Sequence, residues 1–493
     1  MNSSYDLIVI GAGPGGYEAA LEAARLGLRT AIVEKDEVGG TCLNRGCIPT
    51  KTLMHSGDLC AQIRGASRFG IGAGEPAVDM EAVQRHKDET IQTLQKGILS
   101  LFKTRKVDLH QGIGTILPGA PARDASAAGD AVSDGSGVSF TQDAIHQVRV
   151  TAADGSETQM EAKRILLATG SVPSRPPIPG LDLPGVMTSD ELLSYKGKPF
   201  GSLLIIGGGV IGIEFAGIYQ NFGTKVTIVE ALPSILANMD KELGQSLKLS
   251  LKKKGADIHT GASVQRIQKN ADGTLTCVYV EKEKEQTALA DAVLVAVGRR
   301  PYTAGVFAEG MEPSVERGRV LVNEAYETSV PGVYAIGDVS GKIQLAHAAT
   351  AQGKRAVHVI AKELGFAAPG ADPAEWEDLL IPSCVYTDPE IAQVGLTADQ
   401  AKAAGLSAKS RKVLSSANGK SVLSLQERGF IKVVYLEDTH VILGAQLMCA
   451  RATDMVSEFA AAIRQGMTME QMADIVRPHP TFSEMITDAA ELG

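Results

Sequence analysis

The chain has 493 residues, of which 44% are hydrophobic and 21% are charged, and its formal net charge is −9. A chain of this length exceeds one hydrophobic core, so roughly two to four domains are expected. The negative charge gives no electrostatic basis for binding nucleic acid or an anionic membrane. Six cysteines are too few for a secreted disulfide framework in so long a chain. Neither a signal peptide nor an apolar run of about 20 residues is recognisable, so no membrane span is predicted.

The N-terminal segment predicts a dinucleotide-binding unit. An apolar run, Tyr5–Ile10, leads into Gly11, Gly13 and Gly16, and a helical pattern and a second apolar run follow, ending at Glu34. The first glycine permits a tight turn, the second allows the backbone to approach a pyrophosphate, and the third allows the helix to pack on the strand. An acid at the end of the second strand can bind an adenosine ribose.

Two cysteines follow in the segment Gly39–Lys51, which reads GGTCLNRGCIPTK. In a straight helix the Cα atoms of Cys42 and Cys47 would be about 8 to 9 Å apart, whereas a disulfide requires about 4.4–6.8 Å. A bridge therefore requires a distorted helix, for which Gly46 and the two glycines at 39 and 40 supply backbone freedom. The alternatives are two unpaired thiols or half of a zinc site. Zinc-ligand pairs are usually about two to four residues apart, and no second Cys/His pair has that spacing.

The next segments are a helix over Met80–Lys103, a strand and turn over Val107–Gly114, and strands at Val148–Thr151 and Arg164–Leu167. The run Gly119–Gly137, rich in Ala, Gly, Ser and Asp, predicts an exposed loop.

The dinucleotide-binding pattern then recurs. A strand, Ser202–Ile206, leads into Gly207, Gly209 and Gly212, and the following strand ends at Glu230, at the same distance from its first glycine as in the first unit. Two such units predict two dinucleotides, or one dinucleotide and a degenerate copy.

The C-terminal part changes character. Strand-like segments extend to Val297, and the apolar run Val330–Ile336 precedes Asp338, an acid that can hold a polyol hydroxyl. Beyond Gly353 the pattern predicts an α+β domain of about 110 residues. Its predicted elements are the strands Ile381–Thr387, Gly429–Tyr435 and Val441–Cys449 and the helix Ala452–Gln465. The fold class is therefore α/β, with two Rossmann-like dinucleotide-binding domains and a C-terminal α+β domain.

With these motifs in this order, the chain resembles the flavin-dependent disulfide reductases, and within them the dihydrolipoamide dehydrogenases. The resemblance rests on both glycine fingerprints with their acids, the cysteine motif, and the segments Ala168–Ser171, Ala335–Asp338, Leu345–His347 and His479–Glu484. It implies an FAD domain at residues 1–180, completed by a central segment at 296–350. It also implies an NAD domain at 181–295 and a dimer-interface domain at 351–493.

The resemblance also implies roles for the catalytic residues. Cys42 would be the exposed thiol that exchanges with substrate, and Cys47 would lie against the flavin. His479 would be the base, oriented by Glu484, and would act on the disulfide of the other subunit. A homodimer with shared active sites is therefore predicted.

The cofactor-binding residues follow from the same motifs, and no metal is predicted. For FAD they are Gly11, Gly13, Gly16, Glu34, Gly40, Thr41, Lys51, Gly114, Thr169, Gly170, Ser171, Asp338, Leu345, Ala346 and His347. An ion pair between Lys51 and Glu214 is expected beside the flavin. For NAD they are Gly207, Gly209, Gly212, Glu230, Val264 and Gly298.

The implied reaction is the oxidation of protein-bound dihydrolipoamide with reduction of NAD, through a Cys42–Cys47 redox disulfide. The implied partners are a lipoylated acyltransferase or a glycine-cleavage carrier protein, in the cytoplasm, or in the mitochondrial matrix if a transit peptide has been removed.

Several related activities are disfavoured. NADP would be repelled by Glu230, and no Lys or Arg occurs from Ala231 to Asp240. A mercuric-reductase-like enzyme would carry extra C-terminal cysteines, and related NADH oxidases and transhydrogenases typically lack the cysteine pair. A non-catalytic scaffold is disfavoured by the intact set of Cys42, Cys47, His479 and Glu484.

Two further expectations concern residues outside these motifs. Arg477 stands where many relatives carry a histidine, and it is expected to alter the electrostatics of the His479 loop. The cysteines without a motif are expected to be ordinary buried or half-buried thiols; they are Cys60, Cys277, Cys384 and Cys449.

Overall fold

A computed structural model describes residues 3–118, 132–133, 139–140, 145–368, 380–426 and 428–491. The chain forms two compact units. The first comprises Met1–Thr52, Gln84–Ser174 and Arg299–Leu379, and the second comprises Leu53–Val83, Arg175–Gly298 and Leu380–Gly493. In the described ranges, no helix has the length and apolar character needed to cross a membrane.

The strands, in chain order, are β1 (Ser3–Ile10), β2 (Thr30–Glu34), β3 (Asp108–Gln111), β4 (Ile113–Leu117), β5 (Val132–Ser133), β6 (Ser139–Phe140), β7 (His146–Thr151), β8 (Glu157–Leu167), β9 (Ser171–Pro173), β10 (Val186–Thr188), β11 (Ser202–Ile206), β12 (Lys225–Glu230), β13 (Asp257–Thr260), β14 (Ala262–Lys269), β15 (Leu275–Glu281), β16 (Lys284–Ala290), β17 (Ala292–Val295), β18 (Arg299–Pro301), β19 (Val315–Glu316), β20 (Arg319–Val320), β21 (Val333–Ala335), β22 (Ser383–Val385), β23 (Glu390–Gly395), β24 (Ala408–Leu414), β25 (Phe430–Leu436) and β26 (Ile442–Cys449).

The helices are α1 (Pro14–Arg25), α2 (Gly40–Arg45), α3 (Cys47–Gly65), α4 (Met80–Arg105), α5 (Ser189–Leu193), α6 (Val210–Asn221), α7 (Lys241–Lys253), α8 (Ala346–Glu363), α9 (Ala398–Ala403), α10 (Gly419–Leu423), α11 (Ala452–Arg464), α12 (Met469–Ala473) and α13 (Glu484–Ala490). Short 3-10 turns lie at Ala66–Phe69, Gly337–Ser340 and Ser415–Ala417.

The first unit is built on a seven-stranded sheet in the order β3-β2-β1-β8-β7-β4, with β21 also paired to β8. Strands β1, β2, β3, β8 and β21 run parallel. Ile10 is opposite both Val33 and Leu167, and Ala335 is also opposite Leu167. The predicted binding motifs that follow these strands therefore meet at one edge of the sheet, where ligands bind in folds of this kind.

The second unit contains a parallel sheet in the order β10-β17-β11-β12-β13 and a three-stranded antiparallel sheet, β14-β15-β16. Its C-terminal part is a five-stranded antiparallel sheet, β22-β23-β26-β25-β24. Helix α11 buries Phe459 and Val456 in the core of this part. The central strands β11 and β17 are almost entirely apolar and buried because both faces of a parallel sheet are covered.

The predicted elements are present, with some shifted ends. The apolar run Val330–Ile336 forms a strand only at Val333–Ala335, because Gly332 adopts φ +76° and Val333 N–H donates to the carbonyl of Val330, which forms a turn. Ile381–Thr387 is likewise restricted to Ser383–Val385. The loop predicted at Gly119–Gly137 lies outside the described residues, except for Val132–Ser133.

Candidate active site

The first glycine fingerprint has the local geometry that its spacing predicts. Gly11 adopts φ +104°, and a Cβ at this position would lie 2.4 Å from the carbonyl oxygen of Ala168. A Cβ on Gly16 would lie 1.9 Å from the carbonyl oxygen of Gly11, so both positions require glycine. Gly13 is the N-cap of α1 and provides no capping side chain. The amides of the first turn of α1 therefore have no N-cap side chain to which they could donate, and they suit an anion.

Glu34 at the end of β2 is tied to this turn. Its Oε2 accepts a hydrogen bond from Ala12 N–H at 2.7 Å, and its Oε1 accepts one from Asp36 N–H at 2.9 Å. Burial raises the pKa of the Glu34 carboxyl, and the Ala12 amide partly offsets this effect. Each carboxylate oxygen has a second lone-pair site, so the group retains capacity for ribose hydroxyls.

The second fingerprint repeats this geometry. Gly207 adopts φ +112°, and its Cβ would lie 2.4 Å from the carbonyl oxygen of Ala296; a Cβ on Gly212 would lie 2.1 Å from the carbonyl oxygen of Gly207. Gly209 is the N-cap of α6 and has open space around it. Glu230 repeats the contacts of Glu34. Its Oε2 accepts from the amide of residue 208 and its Oε1 from that of residue 232, the latter at 2.6 Å.

The cysteine motif is an interrupted helix. Helix α2 ends at Arg45, Gly46 has a non-helical backbone (φ −146°, ψ −115°), and α3 begins at Cys47. A Cβ on Gly46 would lie 2.8 Å from the carbonyl oxygen of Thr41. This break brings together the Cys42 and Cys47 side chains, which are thiols and hydrogen-bonded to each other.

Gly40 brings this motif close to the first fingerprint. It adopts φ +55°, and its Cβ would lie 2.6 Å from Cα of Gly13. The Cys42–Cys47 pair is thereby anchored beside the turn that the sequence assigns to FAD.

The hydrogen bond with Cys47 raises the pKa of the Cys42 thiol strongly, and burial raises it further, while the charge of Lys51 lowers it. In the single chain, Cys47 is exposed and Cys42 is half-buried. The role of Cys42 as the thiol that exchanges with substrate stays a prediction.

A polar cluster joins the segments that follow β8 and β21. Ser171 Oγ donates to Asp338 Oδ2 at 2.5 Å, and Arg299 donates to Ser171 Oγ at 2.8 Å and to Ser171 O at 2.7 Å. Burial raises the pKa of Asp338, and the Ser171 hydroxyl and the Arg299 charge oppose that shift. Arg299 was not predicted as a site residue, although it directly follows the predicted Gly298.

The remaining residues predicted to bind FAD also lie in the first unit, apart from Glu214. Gly114 is buried, and a Cβ on it would meet Val33 and Ile10 at 3.2 and 3.3 Å, near the ends of β1 and β2. Thr169 donates from Oγ1 to the carbonyl of Tyr302 at 2.6 Å. Gly170 adopts φ +70°. Leu345 is the N-cap of α8, Ala346 is its first residue and His347 is exposed.

Glu214 lies in the second unit, where it is buried and its Oε1 accepts from Tyr386 N–H at 3.1 Å. Lys51 belongs to the first unit, and the ion pair between Lys51 and Glu214 stays a prediction. Of the residues predicted to line the NAD site, Val264 is half-buried on β14, and Gly298 is exposed with φ +114°.

His479 and Glu484 form a close pair. Nδ1 of His479 lies 2.8 Å from Oε1 of Glu484, and Oε2 of Glu484 accepts from Thr481 N–H at 2.8 Å. These contacts, that of Thr481 first, lower the pKa of Glu484. The carboxylate can therefore orient the imidazole and leave Nε2 to exchange a proton.

Arg477 lies two residues before His479, between α12 and α13. Its side chain is 4% exposed and forms an ion pair with Glu458. It also donates to the carbonyls of Met472 and Ile475 and to Thr487 Oγ1. The Arg477 guanidinium therefore links the start of the His479 loop to α11 and α13.

Of the cysteines without a motif, Cys60, Cys277 and Cys449 are buried and Cys384 is half-buried, as predicted.

Comparison with known proteins agrees with this geometry. Residues 5–353 match the model of the pyridine nucleotide-disulphide oxidoreductase family, and residues 381–490 match that of the pyridine nucleotide-disulphide oxidoreductase dimerisation domain. The chain is 38% identical to a dihydrolipoyl dehydrogenase of Bacillus subtilis over 99% of its own length and 98% of that protein. It is 37% identical to the dihydrolipoyl dehydrogenase of Chlorobaculum tepidum, over 99% of this chain and 97% of that protein.

Solved structures show the same fold. The HOCl-induced flavoprotein disulfide reductase RclA from Escherichia coli, as its Cu(II) complex, superimposes with a TM-score of 0.82 at 27% identity over 99% of both chains. LpdA from Mycobacterium tuberculosis does so with a TM-score of 0.84 at 24% identity, also over 99% of both chains. The predicted fold class is confirmed, and FAD and NAD, the predicted cofactors, are those of the matched family. The chain belongs to the pyridine nucleotide-disulphide oxidoreductase family.

Proposed function

We propose that this chain is a dihydrolipoyl dehydrogenase that oxidises protein-bound dihydrolipoamide with NAD. The observation that carries the proposal is the contact between Cys42 and Cys47 beside the first glycine fingerprint. The full-length similarity to dihydrolipoyl dehydrogenases selects the substrate. The partners are a lipoylated acyltransferase or the glycine-cleavage carrier protein, and the compartment is the cytoplasm.

Residues 1–180 and 296–350 form the FAD domain in this proposal, 181–295 the NAD domain, and 351–493 the dimer interface. The residues present fit both cofactors. Each glycine fingerprint starts a helix whose N-cap provides no side chain, and each ends at a carboxylate held by backbone amides. In the FAD domain, Asp338 adds a half-buried acid for the ribityl hydroxyls.

The chain's own residues carry the thiol chemistry. A substrate thiol gives its proton to Nε2 of His479, and the resulting thiolate attacks Sγ of Cys42 in the Cys42–Cys47 disulfide. The bond between the two cysteines breaks, and Cys47 leaves as a thiolate. The second substrate sulfur then closes the lipoamide ring and displaces Cys42. Of the two substrate protons, one ends on Cys42 and the other on His479. The two electrons that the substrate loses on forming its disulfide have reduced the cysteine pair.

The hydrogen bond between the Cys42 and Cys47 side chains, beside the first glycine fingerprint, supports a redox pair next to the flavin. Bound FAD would carry two electrons from the dithiol to NAD. It is needed because thiols and a nicotinamide do not readily exchange electrons directly. Because His479 acts on the disulfide of the other subunit, the active enzyme is a homodimer, consistent with the dimerisation-domain match.

The proposal is tested by turnover of the purified flavoprotein with two substrate pairs. Dihydrolipoamide oxidation and glutathione disulfide reduction are each measured with the NAD and the NADP couple. We expect rapid dihydrolipoamide oxidation with NAD and little turnover in the other three combinations. Efficient glutathione disulfide reduction with NADPH would contradict both the substrate and the cofactor assignment.

A further inference from the structure

The orientation of the His479 imidazole depends on hydrogen bonds, because the ring is largely exposed and few side chains pack against it. The His479 side chain is 79% exposed and that of Glu484 is 28% exposed. The described contacts of the ring pass through Glu484, whose second oxygen is held by the amide of Thr481. The position of the Thr481 backbone therefore determines where the carboxylate, and with it the imidazole, can lie.

Asn418 holds Thr481 from a distant part of the sequence. Its Nδ2 donates to the carbonyl of Thr481 at 3.0 Å. Its Oδ1 accepts from Ser421 N–H at 2.8 Å and from Ser421 Oγ at 2.9 Å, and the residue is 4% exposed. The Ser421 amide can only donate, so the oxygen of the Asn418 side chain must face it and the NH₂ group must face Thr481.

Helix capping alone does not require asparagine at this position. Asn418 is the N-cap of α10, and serine or aspartate caps a helix about as well. Of these three residues, only asparagine combines a capping oxygen with an NH₂ donor that reaches the Thr481 carbonyl.

We infer that Asn418 is a positioning residue for His479, which fixes the Thr481 turn so that Glu484 holds the imidazole in its working orientation. This inference rests on the proposed function of His479. Asn418 does not touch the reacting atoms; it acts through Thr481 and Glu484.

The test replaces Asn418 so that the cap remains and the donor is lost. Asn418→Ser keeps a neutral capping oxygen, and Asn418→Asp serves as a second variant if the serine protein folds poorly. We expect the kcat for dihydrolipoamide oxidation to fall on the order of 10-fold, because small misplacements of a catalytic group are costly. NADH-dependent ferricyanide reduction, which needs the flavin but not His479, should stay at the parental rate.

A double-mutant cycle separates positioning from general damage. His479→Gln should lower the same kcat by on the order of 100-fold or more. Combining it with Asn418→Ser should give a kcat within about twofold of His479→Gln alone, since residues that act as one unit are not additive. A multiplicative loss in the combined variant would show that Asn418 acts elsewhere and would overturn the inference.

Thr397→Ala is the matched control, because Thr397 is the N-cap of another short helix in the C-terminal part, α9. It should leave kcat within about twofold of the parent, since the loss of a cap alone does not affect the His479 turn.

A parental kcat in both Asn418 variants, together with a loss in His479→Gln, would overturn the inference about Asn418 but not the proposed role of His479. A parental kcat in His479→Gln would overturn both the inference and the proposed role of His479.

Discussion

The surroundings of a single ionisable side chain set its pKa, and His146, which lies outside the candidate site, is an example. It is buried on β7, where desolvation and the nearby charge of Arg164 lower its pKa to about 4. A Cβ on Gly332 would come within 2.6 Å of its Nε2, so its ring is closely packed against the backbone.

This burial predicts a loss of stability in acid. As the pH falls from about 6.5 towards 4, the unfolded chain binds a proton at this histidine more readily than the folded chain. The loss amounts to about 3 kcal/mol between pH 7 and pH 4. His146→Gln should therefore reduce the drop in unfolding temperature over this pH range, measured by thermal unfolding of the holoprotein. An unchanged pH dependence in the variant would contradict the assignment.

The contacts of Arg477 and Asn418 could not be predicted from the local sequence. The family resemblance predicts the roles of His479 and Glu484, but nothing local indicates that Arg477 is buried with Glu458. Asn418 contacts Thr481 across 63 positions in the chain, a pairing that depends on tertiary packing.

At the scale of elements, the two glycine fingerprints are near copies with different predicted ligands. Glu34 and Glu230 accept equivalent backbone amides at the ends of β2 and β12. The same substitution in each unit should therefore have different consequences.

Glu34→Gln should weaken FAD retention, and Glu230→Gln should raise the KM for NAD, each on the order of 10-fold, because each loses a charged hydrogen bond to a ribose. Flavin release on dilution and NAD-dependent kinetics measure the two effects separately, and each variant is the control for the other. Loss of FAD from Glu230→Gln, with an unchanged KM for NAD, would reverse the assignment of the two units.

The strands and helices of these units were predictable because their apolar runs and glycine turns are local signals. Strand ends were less predictable. The run Val330–Ile336 is apolar throughout, yet a turn at Gly332 excludes its first residues from the sheet. The break at Gly46 was predictable, because a disulfide between Cys42 and Cys47 requires a distorted helix.

For the whole molecule, the central proposal is that each active site takes its cysteines from one chain and its base from another. The match of residues 381–490 to a dimerisation domain supports dimer formation. Mixing two inactive variants can test the shared site.

Dimers reassembled from Cys42→Ser and His479→Gln chains should recover dihydrolipoamide oxidation. Half of randomly mixed dimers are hybrids, and each hybrid has one intact site of two, so about a quarter of the parental activity is expected. Each variant reassembled alone is the control. If the mixture stays as inactive as its components, His479 acts within its own chain.

The relay through Cys47 is tested most directly by anaerobic addition of NADH to the yellow holoprotein, followed by absorption spectroscopy. We predict a long-wavelength band from the Cys47 thiolate against the oxidised flavin, which is absent in Cys47→Ser. In Cys42→Ser, which has no disulfide to accept the electrons, the band should be present before NADH is added and should disappear as the flavin bleaches. Direct bleaching of the parent flavin without that band would contradict the disulfide relay.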